Sequence, residues 1–131
     1  MTTAYFDASA LVKLVLAEDE SDALRRFVDT QELRTVSCEL ARVEIVRVVR
    51  RGAPRAMVEA RALIDELQVI EVTNAMLDLA GNIDPPHLRT IDAIHLAAAS
   101  TLERDLQAIV TYDRRMQTGA AMLGLPVESP T

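Results

Sequence analysis

The chain has 131 residues, half of them hydrophobic and 26% charged, a balance that fits one globular domain and excludes a disordered chain. Aromatic residues are only 3% and Trp is absent, so the core is aliphatic and a base-stacking surface of aromatic side chains is excluded. The formal net charge of −6 excludes a general electrostatic binder of nucleic acid, so a polyanionic partner is met by a local patch or through a metal.

In chain order, Thr3–Phe6 is a short apolar run suited to a buried strand, and Ala8–Ala17 is an apolar helix followed by an acidic turn at Glu18–Glu20. Ser21 caps a second helix to about Val28, and Arg34–Ser37 is strand-like. Glu39–Arg51 is a helix stopped by Gly52, and Pro54 opens the next one, to about Glu66. Gln68–Val72 alternates and is rich in β-branched residues, hence a strand. Thr73 caps a short helix ending near Gly81, and a loop follows over Asn82–Arg89. Thr90 caps a helix from Ile91 to about Arg104, Gln107–Thr111 is a strand, and Arg114–Leu123 is a helix closed by Gly124. Pro126–Glu128 adds an edge strand. No linker or repeat divides residues 1–131, so a single domain is expected. Alternating strands and helices imply an α/β fold, a mostly parallel sheet with helices on both faces. Strand order does not follow from the pattern.

Of the 14 cationic side chains only Lys13 is lysine, and arginine is the better bidentate partner for phosphate. The lone Cys38 excludes an internal disulfide and a cysteine zinc cage. No apolar run approaches the roughly 18–20 residues of a membrane span, and the first residues lack the form of a signal peptide. A cytoplasmic protein without membrane contact is expected.

Four acids stand apart from the charge run Glu18–Asp22. Asp7 and Asp113 each lie just beyond a strand and before a helix, at the sheet edge where α/β proteins bind ligands; each also reads as a plain N-cap. Glu44 lies within the apolar arc of its helix, made by Leu40, Ala41, Ile45, Val48 and Val49, while Arg42, Arg47 and Arg50 lie outside it. A carboxylate there is costly unless it meets a metal or a buried Arg. Asp92 occupies the first turn of an almost wholly apolar, hence buried, helix, where it also complements the helix dipole. If the four converge, each pair about 4 Å apart repels by about 4 kcal/mol at an effective dielectric of 20. Such a cluster protonates or recruits a cation, and an all-oxygen set selects Mg²⁺ or Mn²⁺ over zinc. The chemistry indicated is metal-assisted hydrolysis of phosphate esters.

His95, three residues after Asp92, is within reach of it but reads first as a helix histidine satisfied by its surroundings; His87 sits in the proline loop and is expected to be exposed. Met57, Met76, Met116 and Met122 read as core filler.

The segments "YFDASALVKLVLAE", "CELARVEIVRVVRR", "LRTIDAIHLAAA" and "IVTYDRRM" with the closing "AAMLGLPV" resemble in order the motifs of PIN-domain nucleases, with VapC toxins of bacterial toxin–antitoxin pairs the nearest likeness. That resemblance covers essentially the whole chain. It implies a three-layer α/β/α fold and a Mg²⁺-dependent endoribonuclease (Mn²⁺ also serving), neutralised by a cognate antitoxin. It implies that Asp7, Glu44, Asp92 and Asp113 are the catalytic and metal-holding acids, with Ser9 and Thr111 as supporting polar positions. Arg114, Arg115 and Met116 follow Asp113 where some relatives carry a further acid, which favours one tightly held ion. Asp7 and Asp92 would hold it directly, and Glu44 and Asp113 through water or as orienters of the attacking water. Arg47, Arg50, Arg51 and Arg55 near the Glu44 helix, with Arg114 and Arg115, are candidate RNA phosphate contacts, or else a solvated or antitoxin-facing surface. A homodimer is also implied, with Leu11–Leu16 and Pro54–Glu66 as candidate faces.

Two other classes compete. A phosphoacceptor receiver domain also gathers acids at strand ends, but needs a late strand-end Lys that this chain lacks. A non-catalytic interaction module leaves Glu44 on an apolar arc without a reason.

Overall fold

The computed structural model describes residues 2–131. Five strands, β1 (Thr3–Phe6), β2 (Arg34–Cys38), β3 (Gln68–Ile70), β4 (Leu106–Val110) and β5 (Val127–Glu128), form one sheet in the order β3-β2-β1-β4-β5. Every neighbouring pair is parallel. β1 lies at the centre with all four residues buried, which is why it reads as a continuous apolar run.

The helices are α1 (Ala8–Lys13), α2 (Ser21–Gln31), α3 (Leu40–Gly52), α4 (Met57–Glu66), α5 (Asn74–Ala80), α6 (Thr90–Ser100) and α7 (Arg114–Met122). Alternation along the strands divides the core between two faces. Tyr5, Val36 and Ile109 pack with α6 and α7 residues such as Leu96 and Met116. Ala4, Phe6 and Val110 pack on the other face with Leu11, Leu24 and Ile45. The result is the three-layer α/β/α arrangement.

After β3 the chain crosses back to place β4 on the free side of β1. The order therefore reverses between β1 and β4, the place where a crevice opens at the carboxyl ends of the strands. Asp7 follows β1 and Asp113 follows β4, so neighbouring strands deliver both to this crevice.

Several expected boundaries move. α1 ends at Lys13, not Ala17, because the next turn finds side-chain partners. Ser21 Oγ accepts from the Glu18 N–H and donates to the Leu16 carbonyl, and Lys13 pairs with Glu20 at 2.7 Å. Ser21 thus ties this turn instead of capping α2, which runs on to Gln31. β3 stops at Ile70; the Val72 N–H donates instead to Glu39 Oε1 at 2.6 Å. Thr90 is the first residue of α6, not its cap, which is Arg89. α6 ends at Ser100, where the Ser100 and Thr101 hydroxyls donate to the carbonyls of Ala97 and Ala98. Met122 is 59% exposed, not core. Leu11 and Val12 of α1 are buried, and Leu14 and Val15, just beyond it, are partly buried against the core. Among the described residues no helix is long and apolar enough to cross a membrane.

Candidate active site

Asp7 is the N-cap of α1. Its Oδ1 accepts from the Ala10 N–H at 3.1 Å and from Ser9 Oγ at 2.6 Å, and its Oδ2 accepts from Thr111 Oγ1 at 2.5 Å. The two hydroxyls also join the strand ends, since Ser9 Oγ accepts from the Tyr112 N–H and Thr111 Oγ1 from the Asp113 N–H. Asp7 is 5% exposed. Burial raises its carboxyl pKa, against the lowering effect of the Ser9 and Thr111 hydrogen bonds.

Asp113 is the N-cap of α7, its Oδ1 accepting from the N–H groups of Arg115 and Met116 at 2.8 and 3.2 Å. The N-cap reading and the strand-end reading are therefore both true of Asp7 and Asp113. Capping engages only one carboxylate oxygen in each.

Asp92 is buried in the first turn of α6. Its Oδ2 accepts from Arg89 Nε at 2.9 Å, while Arg89 Nη2 donates to Asp113 Oδ2 at 2.5 Å. One guanidinium thus spans two of the four acids. Sequence reasoning missed Arg89, although its place three residues before Asp92 is the spacing of neighbours on a helix.

Glu44, inside the packing face of α3, pairs with a histidine and not with an arginine. Its Oε1 accepts from His95 Nε2 at 2.6 Å. His95 is thus a satisfied helix histidine, as expected, and it turns toward Glu44 rather than Asp92. The Tyr5 hydroxyl lies 2.7 Å from His95 Nδ1, and Cys38 Sγ makes a weaker contact with the same nitrogen at 3.7 Å. Burial lowers the His95 pKa, but the hydrogen bonds to Cys38 and Glu44 outweigh it and raise the value to about 10. His87 is exposed.

Asp7, Glu44, Asp92 and Asp113 all line one cleft of about 530 Å³. Lys13, Arg47 and Arg89 line it too, as does Glu18, so cations and acids share its wall. Arg50, Arg51, Arg55, Arg114 and Arg115 are exposed but not part of the cleft wall; of the arginines singled out by sequence, only Arg47 reaches it.

An all-oxygen donor set of this kind suits a hard divalent cation. As placed, no three His, Cys, Asp or Glu side chains among the described residues stand close enough together to hold one. The acids are already compensated, Asp7 by hydroxyls and a backbone N–H, Glu44 by His95, Asp92 and Asp113 by Arg89. The donor chemistry fits a divalent ion, and withdrawal of the half-exposed Arg89 is what would free two of the four carboxylates for it.

The PIN domain family model matches residues 4–121. Ribonuclease VapC46 of Mycobacterium tuberculosis is 44% identical over 131 residues, covering 100% of both chains. Ribonuclease VapC47 of the same species is 42% identical over 130 residues, 96% of each chain. Among solved structures, M. tuberculosis VapC20, a sarcin–ricin loop cleaving toxin, superposes with a TM-score of 0.76 at 18% identity over 98% of this chain and 99% of that one. PAE2754 from Pyrobaculum aerophilum gives 0.59 at 20% identity over 90% and 79%. The chain belongs to the PIN-domain family, among the VapC ribonucleases.

Proposed function

We propose that this protein is an endoribonuclease toxin that hydrolyses RNA phosphodiester bonds with Mg²⁺, Mn²⁺ substituting, and is restrained by a cognate antitoxin. The observation that carries this reading is that four carboxylates, from two strand ends and two helices, line one cleft.

In this reading Asp7 and Asp92 would hold the ion directly. When bound, the metal supplies positive charge against the phosphate oxygens and lowers the pKa of a coordinated water. Ser9 and Thr111, by donating to Asp7, keep its carboxylate in one orientation. Glu44 and Asp113 would hold the ion through water and would orient the attacking water and take its proton. Arg47, exposed on the cleft wall, takes phosphate oxygens, a contact that an acidic chain has to provide locally. Arg50 and Arg51, exposed further along α3, and Arg114 and Arg115, at the positive end of α7, serve phosphates beyond the scissile one.

A groove between α3 and α4, lined by Leu40, Val43, Val46, Ile64, Arg42 and Arg61, shares Arg47 with the cleft. An antitoxin segment with apolar and acidic side chains fits that lining and from there reaches the cleft. A homodimer through α4, where Val58 is 78% exposed, is the remaining part of the proposal.

The test is cleavage of a structured RNA by partner-free protein. Cleavage is expected with Mg²⁺, is abolished by EDTA, and is lost in Asp7→Asn and Asp92→Asn. Activity that survives both substitutions overturns the mechanism.

A further inference from the structure

Glu44 has a single hydrogen-bond partner among the described residues, His95, and that partner is 1% exposed. Its imidazole stands edge-on to the Tyr5 ring, 5.8 Å between centroids at 70°. Both ring nitrogens are engaged, Nε2 with Glu44 and Nδ1 with Tyr5. Space filling alone asks for neither contact; an aliphatic side chain would fill this part of the core, as Leu96 does beside it.

The elements involved are those that carry the acids. Tyr5 lies on β1 two residues before Asp7, and His95 lies on α6 one turn after Asp92. The hydrogen-bonded series Tyr5–His95–Glu44 therefore references the third acid to the two elements that deliver the other two. A glutamate has three rotatable side-chain bonds and loses entropy when held. Glu44 side-chain exposure is 24%, so without His95 no hydrogen bond among the described residues confines it. With Oε1 tied to Nε2–H, Oε2 has no hydrogen-bond partner among the described residues. A carboxylate acceptor keeps the proton on Nε2 whether the ring is neutral or charged.

We propose that His95, seated by Tyr5, is a positioning residue that sets the Glu44 carboxylate for its work in the cleft. This rests on the metal-dependent reading above.

The test is a double-mutant cycle on Mn²⁺ affinity, measured by calorimetry, and on RNA cleavage, with His95→Leu and Glu44→Gln. In the Glu44 background His95→Leu weakens both by about 10–100-fold, the usual cost of removing a group that orients a metal-site acid. In the Glu44→Gln background the same change has an effect within about twofold, because there is no longer a carboxylate to position. His95→Gln, which still donates, and Tyr5→Phe, which only loosens the ring, give intermediate losses. The unsubstituted protein supplies an independent reading without touching the core. Its imidazole ¹H–¹⁵N spectrum shows a far-downfield, exchange-protected Nε2–H that disappears in Glu44→Gln. An undiminished His95→Leu effect in the Glu44→Gln background, or an Nε2–H signal indifferent to Glu44→Gln, overturns the positioning role. Failure of the unsubstituted protein to bind Mn²⁺ overturns the metal reading instead, and leaves the spectroscopic test of the Glu44–His95 pair standing.

Discussion

Arg89 Nη2 donates to Asp113 Oδ2 at 2.5 Å, and so joins the start of α6 to the start of α7 across the mouth of the cleft. Its Nε is given to Asp92 at 2.9 Å, so the chain's own cation occupies the ground between two acids. Its side chain is 55% exposed, which makes it the most readily displaced of the partners that the acids hold.

Arg89→Gln is therefore expected to tighten Mn²⁺ binding. Solvent screening at half exposure limits the gain to about 1 kcal/mol, roughly fivefold in affinity. In EDTA the same variant melts at a lower temperature than the parent, since Asp92 and Asp113 then face each other without a counter-ion. Mn²⁺ removes the difference. A calorimetric titration and a melting curve with and without metal check both; equal Mn²⁺ affinity in the two proteins refutes the competition.

Capping and chemistry separate at Asp113. Asn caps a helix as well as Asp does, so Asp113→Asn keeps the stability of α7, whereas Asp113→Ala costs about 1 kcal/mol. Both abolish most cleavage. Denaturant midpoints beside initial cleavage rates distinguish the two roles, and full activity in Asp113→Asn would reduce this acid to a cap.

The same comparison applies to Asp7. Asn retains an acceptor for the Ala10 N–H and Ser9, and Thr111 can turn its hydroxyl to accept. The expected destabilisation is about 1 kcal/mol, one hydrogen bond, against a loss of cleavage of at least about 100-fold for removing a direct metal ligand.

His95 titrates near 10 in the folded protein and near 6.5 in the unfolded chain. A raised folded-state value contributes stability that is complete below about pH 6.5 and is lost as pH climbs toward 10. Metal-free protein is thus expected to lose stability steadily between those limits. His95→Gln shows a flatter profile over the same window. Urea midpoints at intervals of pH in EDTA measure the difference.

Gly119 of α7 faces α6 so closely that a Cβ there would stand 2.8 Å from Leu96 Cδ1 and 3.2 Å from Leu88 Cδ2. Gly119→Val forces both leucines aside and is expected to cost about 1–3 kcal/mol. Leu88 directly precedes Arg89, so the variant also disturbs the Arg89–Asp113 contact, visible as altered Mn²⁺ affinity.

Much of the architecture can be read along the chain because it depends on local pattern. The unbroken apolar run of Thr3–Phe6 marks a strand buried on both faces, and Thr73 caps α5 by accepting from the Met76 N–H. Where the reading slipped, at Ser21, Thr90 and the ends of α1 and α6, a hydroxyl or an arginine found a partner outside the expected cap geometry. Cap preference states what a residue can do locally, not which competing acceptor the fold brings near it.

The four acids stood out in the sequence by their positions at strand ends and on apolar faces, since a carboxylate in such a place violates the pattern around it. Their partners did not. Arg89 is separated from Asp113 by 24 residues and His95 from Glu44 by 51, and nothing in hydrophobic periodicity couples residues so far apart. The sequence by itself determined the alternation of strands and helices and the acids that interrupt it, because burial and periodicity act within a few turns of chain. Only the tertiary structure decided that β4 lies beside β1, that Arg89 bridges two acids and that a buried histidine holds a third, because charge pairing is settled by distance in space.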